Sequence, residues 1–200
     1  MAEEILKIFV ESGALLEGHF LLSSGLHSDR YVQCALVLQD PAAATALGAA
    51  VANLVSESVE VVVSPALGGV IIGQEVARAL KVKALFTERE NGIMSLRRGF
   101  HIKEGQRVLV VEDVLTTGKS TREVMEVVLG WGGRVVAMAS LISRAEPSLD
   151  LGIPRYHLLH LPLSQSPSEK CGLCRAGVPL VKPGSRPLTL TLSPEGRGKR

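Results

Sequence analysis

Aromatic residues are scarce: they make up 4% of the 200 residues, while hydrophobic types reach 46%. A core must therefore come from Val, Leu, Ile and Ala, a set that suits a sheet buried on both faces. Surplus charge is also missing. Twenty-two Lys and Arg against 20 Asp and Glu leave a net +2, too little for an electrostatic nucleic-acid binder. No apolar run reaches the roughly 18 residues of a membrane span. The first residues, Met1 to Lys7, carry acids where a secretory leader would carry bases. Cysteine is limited to three residues, an odd number that speaks against a disulfide framework and for a reducing cytoplasm. Small molecules are the expected partners, with neither nucleic acid nor membrane among them.

The length suits one domain, expected over 1–183. Residues 184–200 are dominated by Pro, Ser, Gly, Thr and Arg without a sustained period, and read as a disordered tail. Ile5, Ile8 and Phe9 predict a first helix over 3–12. Two short strands follow, near 19–22 and 30–35. Asp40 and Pro41 then start a helix to about Ser58, as N-cap and first helical residue. Apolar runs predict strands at 59–63, 82–86, 108–111, 135–142 and 156–161. Helices are expected up to Leu80 and over 121–129, and the polar segment 88–101 reads as a hairpin or mobile loop. This alternation predicts an α/β fold with a mostly parallel central sheet flanked by helices. Ligands of such sheets sit at the carboxyl ends of the strands. The turns at 64–69, 112–120 and 143–146 are expected to gather there.

The most informative stretch is Val108 to Ser120, Val-Leu-Val-Val-Glu-Asp-Val-Leu-Thr-Thr-Gly-Lys-Ser. A strand ends in two acids, and a turn of hydroxyls and glycine opens a helix. Successive amides from Leu115 to Ser120, with Gly118 allowing close approach, form a cradle for a phosphate. The hydroxyls of Thr116, Thr117, Ser120 and Thr121 add donors. Glu112 and Asp113 would repel a phosphate, so sugar hydroxyls or a hydrated magnesium ion are their natural partners. A solvated acidic turn is the plain alternative, and the fixed order of residues argues against it. Gly118-Lys119-Ser120 also ends like a P-loop, but that motif needs glycine where Asp113 stands.

The stretch resembles the diphosphoribosyl-binding motif of the type I phosphoribosyltransferases. Gly18 to Gly25 with His27, Ser28 and Tyr31, the turn Ser64-Pro65-Ala66-Leu67-Gly68-Gly69, and Ser143-Arg144 resemble signatures of the orotate-specific members. The likeness spans roughly 3–182. It implies the type I phosphoribosyltransferase fold, with a hood from about 1–40 and 155–183. It also implies transfer of a phosphoribosyl group from 5-phosphoribosyl 1-diphosphate to orotate in pyrimidine nucleotide synthesis, with Mg2+ as cofactor. Glu112 and Asp113 match the acids that hold the ribose hydroxyls and serve catalysis. Val114, Leu115, Thr116, Thr117, Gly118, Lys119 and Ser120 match the segment around the 5′-phosphate. Arg89 matches the leading Arg of a loop that reaches into the neighbouring subunit's site, which implies a homodimer. Arg144, with Thr116, matches the orotate site, and a guanidinium fork suits the orotate carboxylate. Many orotate enzymes carry Lys where Ser23 and Gly68 stand here, so Arg97 and Arg98 are candidates for the missing cations. A purine or other base transferase and a non-catalytic regulator on the same fold are the alternatives. The regulator would need a basic face or an added DNA-binding domain, and the sequence shows neither.

Two further sets of residues carry possible chemistry. Cys171 and Cys174 form a Cys-x-x-Cys pair, which is two of the four ligands a zinc site needs. Metal, redox and inert roles stay open for the pair, the last favoured. His157 and His160 lie three apart, which strand alternation sends to opposite faces, against a shared metal. No side chain is therefore assigned as a metal ligand. Cys34 reads as a buried small residue, and Trp131 as packing at a helix end.

Overall fold

The computed structural model describes residues 2–22, 24–162 and 164–183. The expected tail at 184–200 lies outside the described residues. In chain order the elements are α1 (Ala2–Glu11), β1 (Leu15–Leu21), β2 (His27–Val32), α2 (Cys34–Leu38), α3 (Pro41–Ala52), β3 (Val61–Pro65), α4 (Gly68–Leu80), β4 (Lys83–Glu90), β5 (Ile93–Leu96), β6 (Arg107–Leu115), α5 (Lys119–Gly130), β7 (Arg134–Ser143), β8 (Arg155–His160), β9 (Gln165–Ser166) and α6 (Gly172–Arg175). They form two compact units, one of residues up to 16 with 32–163 and one of 17–31 with the chain from 164. Of the residues expected in a hood, 17–31 and 164–183 form the second unit. The flanking stretches 2–16, 32–40 and 155–162 go with the first.

The first unit is built on a six-stranded sheet in the order β5-β4-β3-β6-β7-β8. All pairings are parallel except that of edge strand β5 with β4. Side-chain alternation divides the core. Val62, Leu109, Val111, Ala139 and Leu141 meet Phe9, Leu47, Val51, Ile72 and Val76 on one face. Val61, Val63, Val108, Val110 and Met138 meet Val124 and Val128 of α5 on the other. Two buried faces explain the near-continuous apolar runs. Each fully buried Val or Leu is worth about 1.5–3 kcal/mol.

Several boundaries differ from expectation. The strand expected at 30–35 ends at Val32, and α2 follows with Cys34, Val37 and Leu38 buried at helical spacing. Helix α3 stops at Ala52 rather than Ser58. Beyond it the polar groups are used in tertiary hydrogen bonds: Tyr156 donates to Glu57 Oε1 at 3.0 Å, and Arg107 Nε donates to the Ser58 carbonyl at 2.9 Å. Strand β6 runs through both acids to Leu115, four residues past the expected end.

The second unit holds a three-stranded sheet ordered β1-β2-β9. His27 lies opposite Ser166, and Val181 bridges to Phe20. Its buried side chains are Phe20, Leu22 and Cys171 with the polar His19, His27 and Ser28. None of these belongs to either apolar core. The cysteine pair, read from sequence as short of ligands, has His19 and His27 beside it.

Candidate functional site

The three turns converge as the strand order predicts. Ser143 pairs with Leu115, and the Arg144 amide donates to the Leu115 carbonyl at 2.8 Å. The half-buried Arg144 therefore starts beside the first residue of the cradle. On the other side, β3 ends in Ser64-Pro65, and the Ala66–Leu67 peptide is cis. A Cβ on Gly68 would stand 2.5 Å from Asp113 Oδ2. The start of α4 thus touches the acid, and position 68 has no room for a side chain unless Asp113 moves.

The two acids leave β6 in different directions, as neighbours on a strand must. Glu112 is buried and accepts a hydrogen bond from Thr121 Oγ1 on α5. Burial pushes its carboxyl up to about 7, with the Thr121 bond opposing. Half-buried Asp113 accepts the Val114 amide at 2.9 Å, and burial raises its carboxyl too. Among the described residues neither acid has a cation at ion-pair distance. Cys34 is the buried small residue expected, its thiol pushed up by burial and then by Asp113.

The cradle is narrower than the sequence suggests. Leu115 packs its side chain in the core and its carbonyl is taken by Arg144. Thr121 is fully buried and spent on Glu112, so its hydroxyl does not face a phosphate. What remains is Thr116 to Ser120. Their amides precede the first intrahelical bond, from Arg122 N–H to the Gly118 carbonyl at 2.9 Å. Gly118 caps α5 at φ 74°, where an L side chain is strained. Thr116, Thr117 and Lys119 are exposed. The helix end favours an anion by about 0.3–1 kcal/mol.

Segment 88–101 begins as a hairpin, with Asn91 and Gly92 at its turn, both at positive φ. Its arginines are engaged. Arg89 pairs with Glu123 of α5 and donates to the Gly92 carbonyl at 3.1 Å. Arg97 reaches Glu88 and Glu90 at 3.5 and 3.3 Å, and Arg98 makes two bonds to Glu88 at 2.9 and 3.1 Å. The acids at 88 and 90 are a sequence signal for the partners of Arg97 and Arg98, whereas Glu123 as partner of Arg89 follows only from the fold.

His157 and His160 are not on opposite sides. Their ring centroids are 5.8 Å apart, and both line a cavity of about 250 Å³ with Ser143, Glu146 and Arg155. His160 is the last residue of β8, where the pleat no longer fixes direction. Trp131 follows α5 and meets His101 edge-on at 5.1 Å.

A mostly parallel sheet with an amide-lined turn and two acids at its carboxyl edge is the architecture of a phosphoribosyltransferase-like fold. The phosphoribosyl transferase domain family matches residues 36–159. An orotate phosphoribosyltransferase of Carboxydothermus hydrogenoformans is 53% identical over 186 residues, covering 92% of this chain and 97% of that one. One of Thermotoga maritima is 50% identical over 189 residues, covering 94% and 100%. The crystal structure of orotate phosphoribosyltransferase from Aeropyrum pernix superposes with a TM-score of 0.65 at 27% identity, over 78% of this chain and 93% of that one. The chain belongs to the phosphoribosyltransferase family. Within it, the chain falls among the orotate phosphoribosyltransferases.

Proposed function

We propose that the protein transfers the 5-phosphoribosyl group of 5-phosphoribosyl 1-diphosphate to orotate, giving orotidine 5′-phosphate and diphosphate. The observation that carries this reading is the convergence at one sheet edge: a buried and a half-buried acid, an open amide turn, and Arg144 hydrogen-bonded to the residue between them. A ring nitrogen of orotate attacks ribose C1, and the bond from C1 to the diphosphate oxygen breaks. Positive charge develops on the ribose and negative charge on the leaving group.

The residues take distinct parts. The amides of Thr116 to Ser120, together with Lys119, hold the 5′-phosphate. Asp113 and Glu112 accept hydrogen bonds from the ribose hydroxyls and lie near the developing positive charge. They position the sugar and need not shuttle a proton. Arg144 grips the orotate carboxylate, and Thr116 donates beside it. Preorganised groups of this kind are worth about 3 kcal/mol each in a transition state. Arg89 is assigned to the diphosphate, which requires it to leave Glu123.

Magnesium fits the donor chemistry here. Both acids are hard oxygen donors, and burial makes both weaker acids than usual, so a divalent cation or donor hydroxyls would restore their charge. Asp113 would hold the hydrated ion, which supplies neutralisation of the departing diphosphate. A homodimer completes the reading, with the β4–β5 hairpin serving a neighbour's site. A cytoplasmic location suits it, and among the described residues no helix is long and apolar enough to cross a membrane.

The test is turnover with phosphoribosyl diphosphate and magnesium against orotate, uracil, adenine and hypoxanthine. Product from orotate is expected. Product from a purine and none from orotate would move the assignment to another base.

A further inference from the structure

We propose that His19, His27, Cys171 and Cys174 form a structural zinc site that ties the β1–β2 hairpin to the segment carrying α6. The four side chains come from opposite ends of the chain. Their ligand atoms, the ring nitrogens and the two sulfurs, all lie within 4.8 Å of one another. His19 Nε2 stands 2.8 Å from His27 Nδ1 and 3.4 and 3.6 Å from the sulfurs of Cys171 and Cys174. Cys174 Sγ is 3.2 Å from His27 Nδ1. A tetrahedral ion with Zn–N near 2.0–2.1 Å and Zn–S near 2.3 Å spaces its ligands by roughly 3.3–3.8 Å. The four spacings given differ from that by about half an ångström at most and every pair lies within 4.8 Å, so side-chain rotations bring the four atoms onto one ion.

The surroundings prepare the ligands. The Val178 carbonyl can only accept, so His19 Nδ1, 2.8 Å from it, carries the hydrogen and donates. That leaves the Nε2 lone pair directed at the cluster, the usual outer support of a metal-binding histidine. The amides of Cys174 and Leu173 donate to Cys171 Sγ. His19, His27 and Cys171 are buried while Cys174 is exposed, and both cysteines are free. A groove of about 280 Å³ lined by His27, Ser166, Cys171 and Leu173 gives an ion a way in. Two thiolates and two neutral imidazoles favour zinc over harder cations and leave the filled site neutral, the thiol protons passing to solvent.

The unit's own packing supports the need for such a staple. Among the described residues its buried apolar side chains are Phe20, Leu22 and Cys171, and none of them belongs to either apolar core. Units this small usually depend on disulfides or a metal. His19 and His27, buried side by side with ring nitrogens 2.8 Å apart, suit ligands of one ion.

The full-length protein, purified without chelator from zinc-supplemented cells, should contain about one zinc per chain by elemental analysis. Replacing zinc with cobalt should give the visible absorption of a tetrahedral thiolate-bound ion. Cys171→Ser with Cys174→Ser should abolish both signals, and Cys34→Ser should leave both intact. His27→Ala should weaken zinc by more than about tenfold in competition with a chromophoric chelator, since even an outer partner of a ligand is worth that much. The proposal is overturned if wild-type protein with reduced cysteines takes up no stoichiometric zinc. An octahedral cobalt spectrum, zinc retained in the double variant, or Cys171 and Cys174 isolated as a disulfide would each overturn it as well. The cobalt spectrum is read on wild-type protein, so misfolding of a variant does not spoil the test.

Discussion

The carboxyl edge of the sheet and the β4–β5 hairpin handle charge in opposite ways. At the edge, Glu112 and Asp113 are buried or half-buried with no cation at ion-pair distance among the described residues, and burial raises both carboxyls. In the hairpin, Arg89, Arg97 and Arg98 are exposed or half-exposed, and each is already matched by a glutamate. In the proposed reaction the first region takes hydroxyls or a metal as partners. The second is complete and must exchange partners before it can serve a substrate. On the proposed function the first is preorganised for binding, and the second depends on a conformational step.

The sharpest way to break this contrast is Asp113→Asn. The side chain keeps its shape and can still accept the Val114 amide. Turnover should nevertheless fall by about 100-fold or more, the scale of losing one oriented electrostatic group, with circular dichroism unchanged. Near-normal turnover would remove the edge from the mechanism.

Glu112→Gln should separate activity from stability. At roughly 1.4 kcal/mol for each tenfold change in acidity, the rise from 4.5 to about 7 destabilises the fold by about 3 kcal/mol above neutrality. The sign follows from proton counting. Between pH 4.5 and 7 the folded state binds more protons than the unfolded one, so stability falls as pH rises. Gln avoids that cost. Its melting temperature should exceed wild type at pH 8, and the gain should shrink as pH falls toward 4.5, while turnover drops. A gain that persists at acid pH would show that charge burial is not the cause.

How much of this was legible depended on whether a feature is local. The order Glu112-Asp113-Val114-Leu115-Thr116-Thr117-Gly118 sits in one strand and one turn, so that strand, turn and helix start are legible in the sequence. Thr121 was placed wrongly in that cradle because its burial depends on how α5 leans on β6. The glutamate partners of the arginines depend on hairpin register and on α5, neither of which an unaligned sequence fixes. The Cys171–Cys174 pair looked short of two ligands because His19 and His27 lie about 150 positions away in the chain. Helix α2 was missed because five residues give too little periodicity to compete with a strand reading.

Gly118→Val tests the cradle alone. A side chain at φ 74° costs about 1–2 kcal/mol, and its Cβ would meet Leu151 Cδ2 at 3.0 Å. The KM for phosphoribosyl diphosphate should rise about tenfold, an affinity loss of about 1.4 kcal/mol. An unchanged KM would mean that the phosphate is held elsewhere.

Glu88→Gln probes the hairpin with the smallest expected effect. Glu88 holds both Arg97 and Arg98, and the Arg98 guanidinium keeps its carboxyl below the usual 4.5. Glu88 is therefore ionised throughout the neutral range, and its effect should not vary with pH there. Exposed pairs are weak, so releasing the arginines should change the KM for phosphoribosyl diphosphate by no more than about fivefold. The direction is the informative part. A lower KM, with the difference fading at high salt, means that Glu88 withholds cations which otherwise reach the diphosphate. An unchanged KM at every salt concentration leaves Arg97 and Arg98 as structural partners of the hairpin. The charge left by glycine at position 68 would then fall to Arg89 alone among the three, and its exchange from Glu123 would become the step to measure.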